Sequence, residues 1–153
     1  MNSIRNSAKA IIIRDACLLV IRSRDEDGDW YLLPGGGQAH GEPLPEALQR
    51  ECREEMGARV QVGELKLVRE YIGRNHEFAA HDGEAHQVEF MFECQVDTAY
   101  VPGNGNTPDT SQTGVVWLPL SDLERFRLYP KVLRLILKNG VSGITCAYLG
   151  DVN

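Results

Sequence analysis

The chain has no CxxC pair, no internal repeat, no low-complexity tract and no long uninterrupted apolar run. Its four cysteines, Cys17, Cys52, Cys94 and Cys146, lie far apart, which excludes a zinc site built from neighbouring cysteines. A disulfide framework is not expected in so apolar a chain. Reduced core thiols, and with them a cytoplasmic location, are the expectation. The N-terminal apolar runs Ala10 to Ile13 and Ala16 to Ile21 are broken by Arg14 and Asp15. They are too short and too charged for a signal segment or a membrane span, so no membrane partner is expected. Positive charge is also scarce. The net charge of -6 argues against a broad nucleic-acid or anionic-membrane surface. A small anionic substrate stays compatible, because a bound metal ion inverts the local charge. Neither the GxxxxGK[ST] phosphate loop nor a convincing GxGxxG is present.

What is present fits one domain, residues 1–153, with a sizeable core. A homodimer is left open by the sequence. Residues 9–13 and 16–22 read as two strands joined by a tight turn at Arg14-Asp15. A strand is expected at Tyr31 to Leu33, and Pro34 to Gly41 reads as loop. From Pro43 the pattern turns helical, with Gly57 as its stop. Residues 59–72 read as strand, Arg74 to Glu84 as a polar loop. In "HQVEFMFECQV" a period of two predicts a strand with one buried face. Val101 to Thr113 reads as a long loop and "GVVWLPL" as a strand. Ser121 and Glu124 have capping-box spacing for a short helix. A helix over Tyr129 to Asn139 and a strand within Val141 to Leu149 complete the pattern. Mixed elements without a strict βαβ repeat predict an α/β fold, a mixed β-sheet with helices on both faces.

The helix after Pro43 carries Glu51, Glu54 and Glu55 at i, i+3 and i+4. With Glu51 at zero, Glu54 falls at roughly 300° and Glu55 at roughly 40°. Leu48, Cys52 and Met56 lie beside them at roughly 60° to 140°, so the acidic face borders the core face. Like charges at these spacings repel, and late in a helix they oppose its dipole. A divalent cation relieves both, and hard cations take oxygen ligands shared with substrate phosphates. A solvated acidic face is the commoner meaning of such a pattern. Three glycines, Gly35 to Gly37, shift the weight, because glycine lets backbone approach another group closely.

Gly36, five residues, Glu42, seven residues, then Arg50-Glu51-Cys52-x-Glu54-Glu55-x-Gly57-Ala58 resembles the Nudix box, GX5EX7REUXEEXGU. Every charged and glycine position is filled. Cys52 and Ala58 are smaller than the usual aliphatic at the U positions. The resemblance implies a Nudix α/β/α sandwich with a loop–helix–loop metal site. It implies hydrolysis of a nucleoside diphosphate linked to another moiety, with Mg²⁺ or Mn²⁺. By the same resemblance Glu51, Glu54 and Glu55 hold the metal, the Gly35 carbonyl adds a ligand, and Arg50 and Glu42 orient the carboxylates. Glu51 is the expected general base.

Markers of a particular substrate class are not visible downstream of the box. Trp30, Tyr71, Arg74, His76 and His81 are the candidate substrate contacts, as stacking or phosphate-binding groups. Glu89 is placed on the polar face of its strand, either within reach of the metal site or, the commoner case, at the surface, and Lys131, Arg134 and Lys138 on a solvated helix face. Two other readings share the fold. One is a non-catalytic nucleotide-sensing module, which has no need of three crowded carboxylates. The other is an isopentenyl-diphosphate isomerase, whose box is degenerate where this one is complete.

Overall fold

The computed structural model describes residues 2–153. Strand β1 (Arg5–Arg14) turns directly into β2 (Cys17–Asp25). The turn residues are Asp15 and Ala16, both at positive φ. The tight turn is therefore one residue later than expected, because a two-residue hairpin loop of this hand needs left-handed backbone at both positions. β2 continues into β3 (Gly28–Leu32).

The glycine run is not loop. Gly35–Gly37 form β4 and pair antiparallel with Lys9, Ala8 and Ser7 of β1. Gly35 sits at φ +127°, and a Cβ there would lie 2.0 Å from the Ala8 carbonyl oxygen. Only glycine lets these two backbones meet. Helix α1 (Leu44–Met56) follows, with Pro45 in its first turn and Gly57 in the left-handed conformation that stops it.

β5 (Val60–Ile72) and β6 (His86–Val96) pair antiparallel, and β6 runs parallel to β1. The excursion between them contains a 3₁₀ turn at Gly73–Asn75 and the short α2 (Ala79–Asp82), where a plain loop was expected. β7 (Gln112–Pro119) adds to β2. Residues Leu120–Arg125 form a 3₁₀ helix without a side-chain cap, so the Ser121/Glu124 box is not used. The expected helix from Tyr129 begins late. Leu128–Tyr129 is β8, parallel to β3, and α3 spans only Leu133–Ile136. Pro130 explains the delay, since its ring cannot continue a helix from within and restricts Tyr129 to extended backbone. β9 (Tyr148–Asp151) closes the far edge on β5.

The strands form one mixed sheet in the order β8-β3-β2-β1-β6-β5-β9. Alternation along β1 sends Ala8, Ala10 and Ile12 to one face, where they pack with Leu48, Cys52, Met56 and Ala58 around α1. Ile11 points the other way, into a core with Leu123, Leu133 and Leu137 of the C-terminal helices. Helices thus cover both faces, as the α/β sandwich requires. β6 departs from the one-sided reading. Phe92 and Cys94 face α1, while Met91 and Glu89 on the opposite face are also buried. Cys52 and Cys94 are core thiols, but Cys146 is exposed and Cys17 partly so.

Candidate active site

Helix α1 presents its late turns to a cleft of about 600 Å³ between the glycine strand, β1, β6 and β5. Gly35, Gly36 and Glu51 line it together. A Cβ on Gly36 would come within 2.6 Å of the Glu51 carboxyl carbon, so the glycine is what lets that carboxylate lie against the backbone.

Arg50 organises the acidic face. Its Nε donates to Glu42 Oε1 at 2.7 Å and one Nη to Glu42 Oε2 at 3.0 Å. The same Nη donates to the Gly37 carbonyl at 2.9 Å. The other Nη reaches Glu51 Oε1 at 3.0 Å and Glu54 Oε2 at 3.4 Å. Hydrogen bonding from Arg50 holds the Glu42 carboxyl down to about 2, and Glu42 in turn accepts the Ala39 amide. One guanidinium therefore ties loop, strand and helix into one unit, as its planar fork allows.

The three carboxylates are not equivalent. Glu55 is buried and accepts the Gly35 amide proton at 2.9 Å. Burial pushes its carboxyl up to about 7, against the opposing pull of Lys9 and the Gly35 hydrogen bond, with Asp109 and Glu51 adding to the rise. Glu51 is mostly covered at 18% exposure and Glu54 is open at 40%. The Gly35 carbonyl accepts Lys9 Nζ at 3.1 Å, which leaves it a second lone pair. Among the described residues no three His, Cys, Asp or Glu side chains stand as a closed metal cage. The donor chemistry nevertheless fits a hard divalent cation: three carboxylates and a carbonyl oxygen, one carboxyl being buried without enough positive charge beside it.

The end of α1 is not left to repel these charges. The long loop after β6 folds back on it. Gly105 N–H donates to the Glu55 carbonyl at 2.9 Å and Thr107 N–H to that of Glu54 at 3.0 Å. Gln112 Nε2 also reaches the Glu55 carbonyl, at 2.8 Å. The orphan carbonyls of the last turn are thereby satisfied. The same loop brings Asp109 and Ser111 to the cleft, neither of which periodicity singled out.

Trp30, Tyr71 and His81 line the cleft. Arg74 does not. It is exposed in the 3₁₀ turn that follows the end of β5. His76 is also outside. It stacks on Tyr71 with centroids 5.3 Å apart and lies 2.6 Å from Asp151 Oδ1. Glu89 is not on a polar surface but buried in the cleft floor, paired with Arg69 at 2.6 Å. Arg69 itself was missed. The signal was its place in β5, two residues before Tyr71, on the same strand face. The basic stripe is only partly solvated. Lys131 pairs with Glu77 at 2.6 Å, and Arg134 lies over the Tyr129 ring.

The Nudix-domain family model matches residues 4–138. The chain belongs to the Nudix family. Its enzymes are pyrophosphohydrolases that generally use divalent metals. No match is found among curated proteins. The Nudix fold recurs in solved structures. A MutT Nudix hydrolase from Burkholderia pseudomallei superposes with TM-score 0.65 at 23% identity, over 94% of this chain and 99% of that one. A Nudix hydrolase from Nitrosomonas europaea gives TM-score 0.68 at 20% identity, over 95% and 93%. An ADP-ribose pyrophosphatase from Streptococcus suis gives 0.58 at 16%, over 96% and 97%. At these identities the likeness establishes the fold. No helix among the described residues is long and apolar enough to cross a membrane.

Proposed function

We propose that this Nudix chain hydrolyses the P–O–P linkage of a nucleoside diphosphate joined to another moiety: a nucleotide sugar, ADP-ribose or a nucleoside triphosphate. The observation that carries the reading is the meeting of Glu51 with Gly36 at the cleft wall, tied by Arg50 to Glu42. Glu51, Glu54, Glu55 and the Gly35 carbonyl would hold Mg²⁺ or Mn²⁺. When bound, such a cation neutralises the diphosphate and makes its water more acidic.

The chain's own groups supply the rest. Arg50 and Glu42 orient the carboxylates and keep them from swinging apart. That only Glu51 of the three helix carboxylates lines the cleft supports reading it as the group that takes a proton from an attacking water. Glu55, buried and already accepting the Gly35 amide proton, would serve as a ligand. Lys9 and Arg5, on the same face of β1, offer positive charge to the phosphates. Trp30 and Tyr71 offer aromatic faces for the nucleoside.

A hydrolysis screen tests this. With Mg²⁺ and ADP-ribose, GDP-mannose or dGTP, one product should be a nucleoside monophosphate, and EDTA should stop the reaction. In ¹⁸O-water the label should enter a phosphate product. Label on sugar carbon, or equal turnover of AMP to adenosine, would exclude attack at a bridging diphosphate. Tight metal-dependent nucleotide binding without hydrolysis would favour a sensing module.

A further inference from the structure

The cleft contains two kinds of cation. Arg5 and Lys9 have only neutral acceptors: Gln87 Oε1 at 3.4 Å for the first, the Leu33 and Gly35 carbonyls for the second. Neither makes a direct ion pair, although both lie within electrostatic reach of Glu89 and Lys9 within reach of Glu55, and both sit beside the glycine strand. Arg69 is different. It is buried, its Nε donates to Glu89 Oε2 at 2.6 Å, and one Nη donates to the Val152 carbonyl at 2.6 Å. The same Nη lies 3.4 Å from Asn153 Oδ1, and its guanidinium lies 5.3 Å from the Tyr71 ring centroid. Burial pushes the Glu89 carboxyl up, but the charges of Arg69 and Lys9 and the Arg69 hydrogen bond outweigh it, so Glu89 stays ionised.

A neutralised pair exerts little net field on a phosphate. What it retains is a rigid, oriented donor edge at low dielectric, suited to an uncharged acceptor. Position agrees. Register places Gly37, Ser7, Glu89 and Arg69 in one row across four strands. Arg69 is thus roughly 14 Å from the glycine strand, three strand spacings of about 4.8 Å. Tyr71 lines the cleft on the same strand as Arg69, and Phe78, from the excursion that follows β5, crosses the cleft to pack edge-on against Tyr129 of β8 at 5.6 Å.

We propose that Arg69 is a specificity-determining residue that reads an uncharged acceptor on the nucleobase, and that Glu89 with the β9 end of the chain positions it. This deepens the proposed function and rests on it for the identity of the ligand as a nucleotide. Metal ligands and phosphate cations lie elsewhere, so base reading is separable from hydrolysis.

The test is calorimetric binding of AMP, GMP, CMP and UMP without metal, to the intact chain and to the double variant R69Q/E89Q. The double change keeps amide hydrogen bonding and leaves no orphaned charge. Wild type should separate the best base from the worst by about tenfold in Kd. In R69Q/E89Q the four values should converge to within about threefold. Circular dichroism and Tm report whether the variant is folded. R69K, which keeps the charge but not the planar fork, should also flatten the ranking and serves if the double variant does not fold. Four equal affinities in wild type, or no binding, would overturn the proposal. So would an unchanged ranking in the variants, or a uniform weakening with a shallower salt dependence, which would assign Arg69 to phosphate. Base discrimination in a chain that cleaves no diphosphate would sink the proposed function and leave this inference standing.

Discussion

The Glu55 carboxylate accepts the Gly35 amide proton at 2.9 Å from within the core, while Glu51, one helical turn earlier, lies along the cleft wall. A single helix face therefore holds one buried and one accessible carboxylate. Burial drives the Glu55 carboxyl up to about 7 in the folded chain. Unfolded, it titrates at an ordinary carboxylate value, so between the two the native state binds more protons. Stability from this group is then present below the unfolded value and lost as pH rises towards 7. From the ordinary 4.5 up to about 7, at about 1.36 kcal/mol per unit, the loss is on the order of 3 kcal/mol. Glu55→Gln keeps the Gly35 bond and removes the charge. In EDTA its Tm should exceed that of wild type at pH 8, and the gap should shrink at pH 5. A gap that widens at pH 5 would contradict this placement of Glu55.

The neighbouring glycines should separate fold from activity. Gly35→Ala drives a Cβ into the Ala8 carbonyl at 2.0 Å, backbone against backbone, at φ +127°. It should cost several kcal/mol, about 3 or more, or prevent folding. Gly36→Ala meets only the end of the Glu51 side chain, at 2.6 Å. It should fold with a Tm close to wild type and lose about a hundredfold in kcat as Glu51 is displaced. Thermal melts and a Mg²⁺-dependent diphosphate assay on both variants decide the point.

Arg50→Lys should be far from neutral. Arg50 makes five hydrogen bonds to four residues, and a single ammonium cannot span Glu42, Gly37, Glu51 and Glu54. A fall of about 10- to 100-fold in kcat is expected, with metal affinity weakened in parallel, as for lost partners of metal ligands. Titration of activity against Mg²⁺ reads both. Unchanged kcat and unchanged metal dependence would show that Arg50 does not orient the site.

The loop closing α1 gives a structural prediction. Gly105→Ala would set a Cβ 2.5 Å from the Glu54 carbonyl oxygen and 2.8 Å from that of Arg53. The loop must lift, and the Gly105 and Thr107 bonds to the last turn go with it. A loss of about 1–3 kcal/mol in urea unfolding is expected, from carbonyls left without partners. Hydrogen exchange at Gly105 and Thr107 should speed up, and a fully protected loop in this variant would refute the docking.

Helix α1 and its signature were legible from the sequence because both are local. Helical period alone puts Glu51, Glu54 and Glu55 on one face beside Leu48 and Cys52, and Pro45 and Gly57 mark the ends through backbone rules of their own. The spacing from Gly36 to Ala58 is likewise a count along the chain, which is why the family could be named before any fold was known. The tertiary structure decided the rest. That Gly35–Gly37 is a strand, not a loop, depends on β1 lying alongside, since three glycines have no strand preference. That Glu55 is buried and Glu51 is not depends on where the glycine strand crosses the helix. The Arg69–Glu89 pair joins residues twenty apart across a register interrupted by irregularities in β5, and Asp109 reaches the cleft only because its loop caps α1. Periodicity reports which side of an element is apolar. It carries no record of which polar groups two distant elements bring together, because strand register and loop docking set those distances.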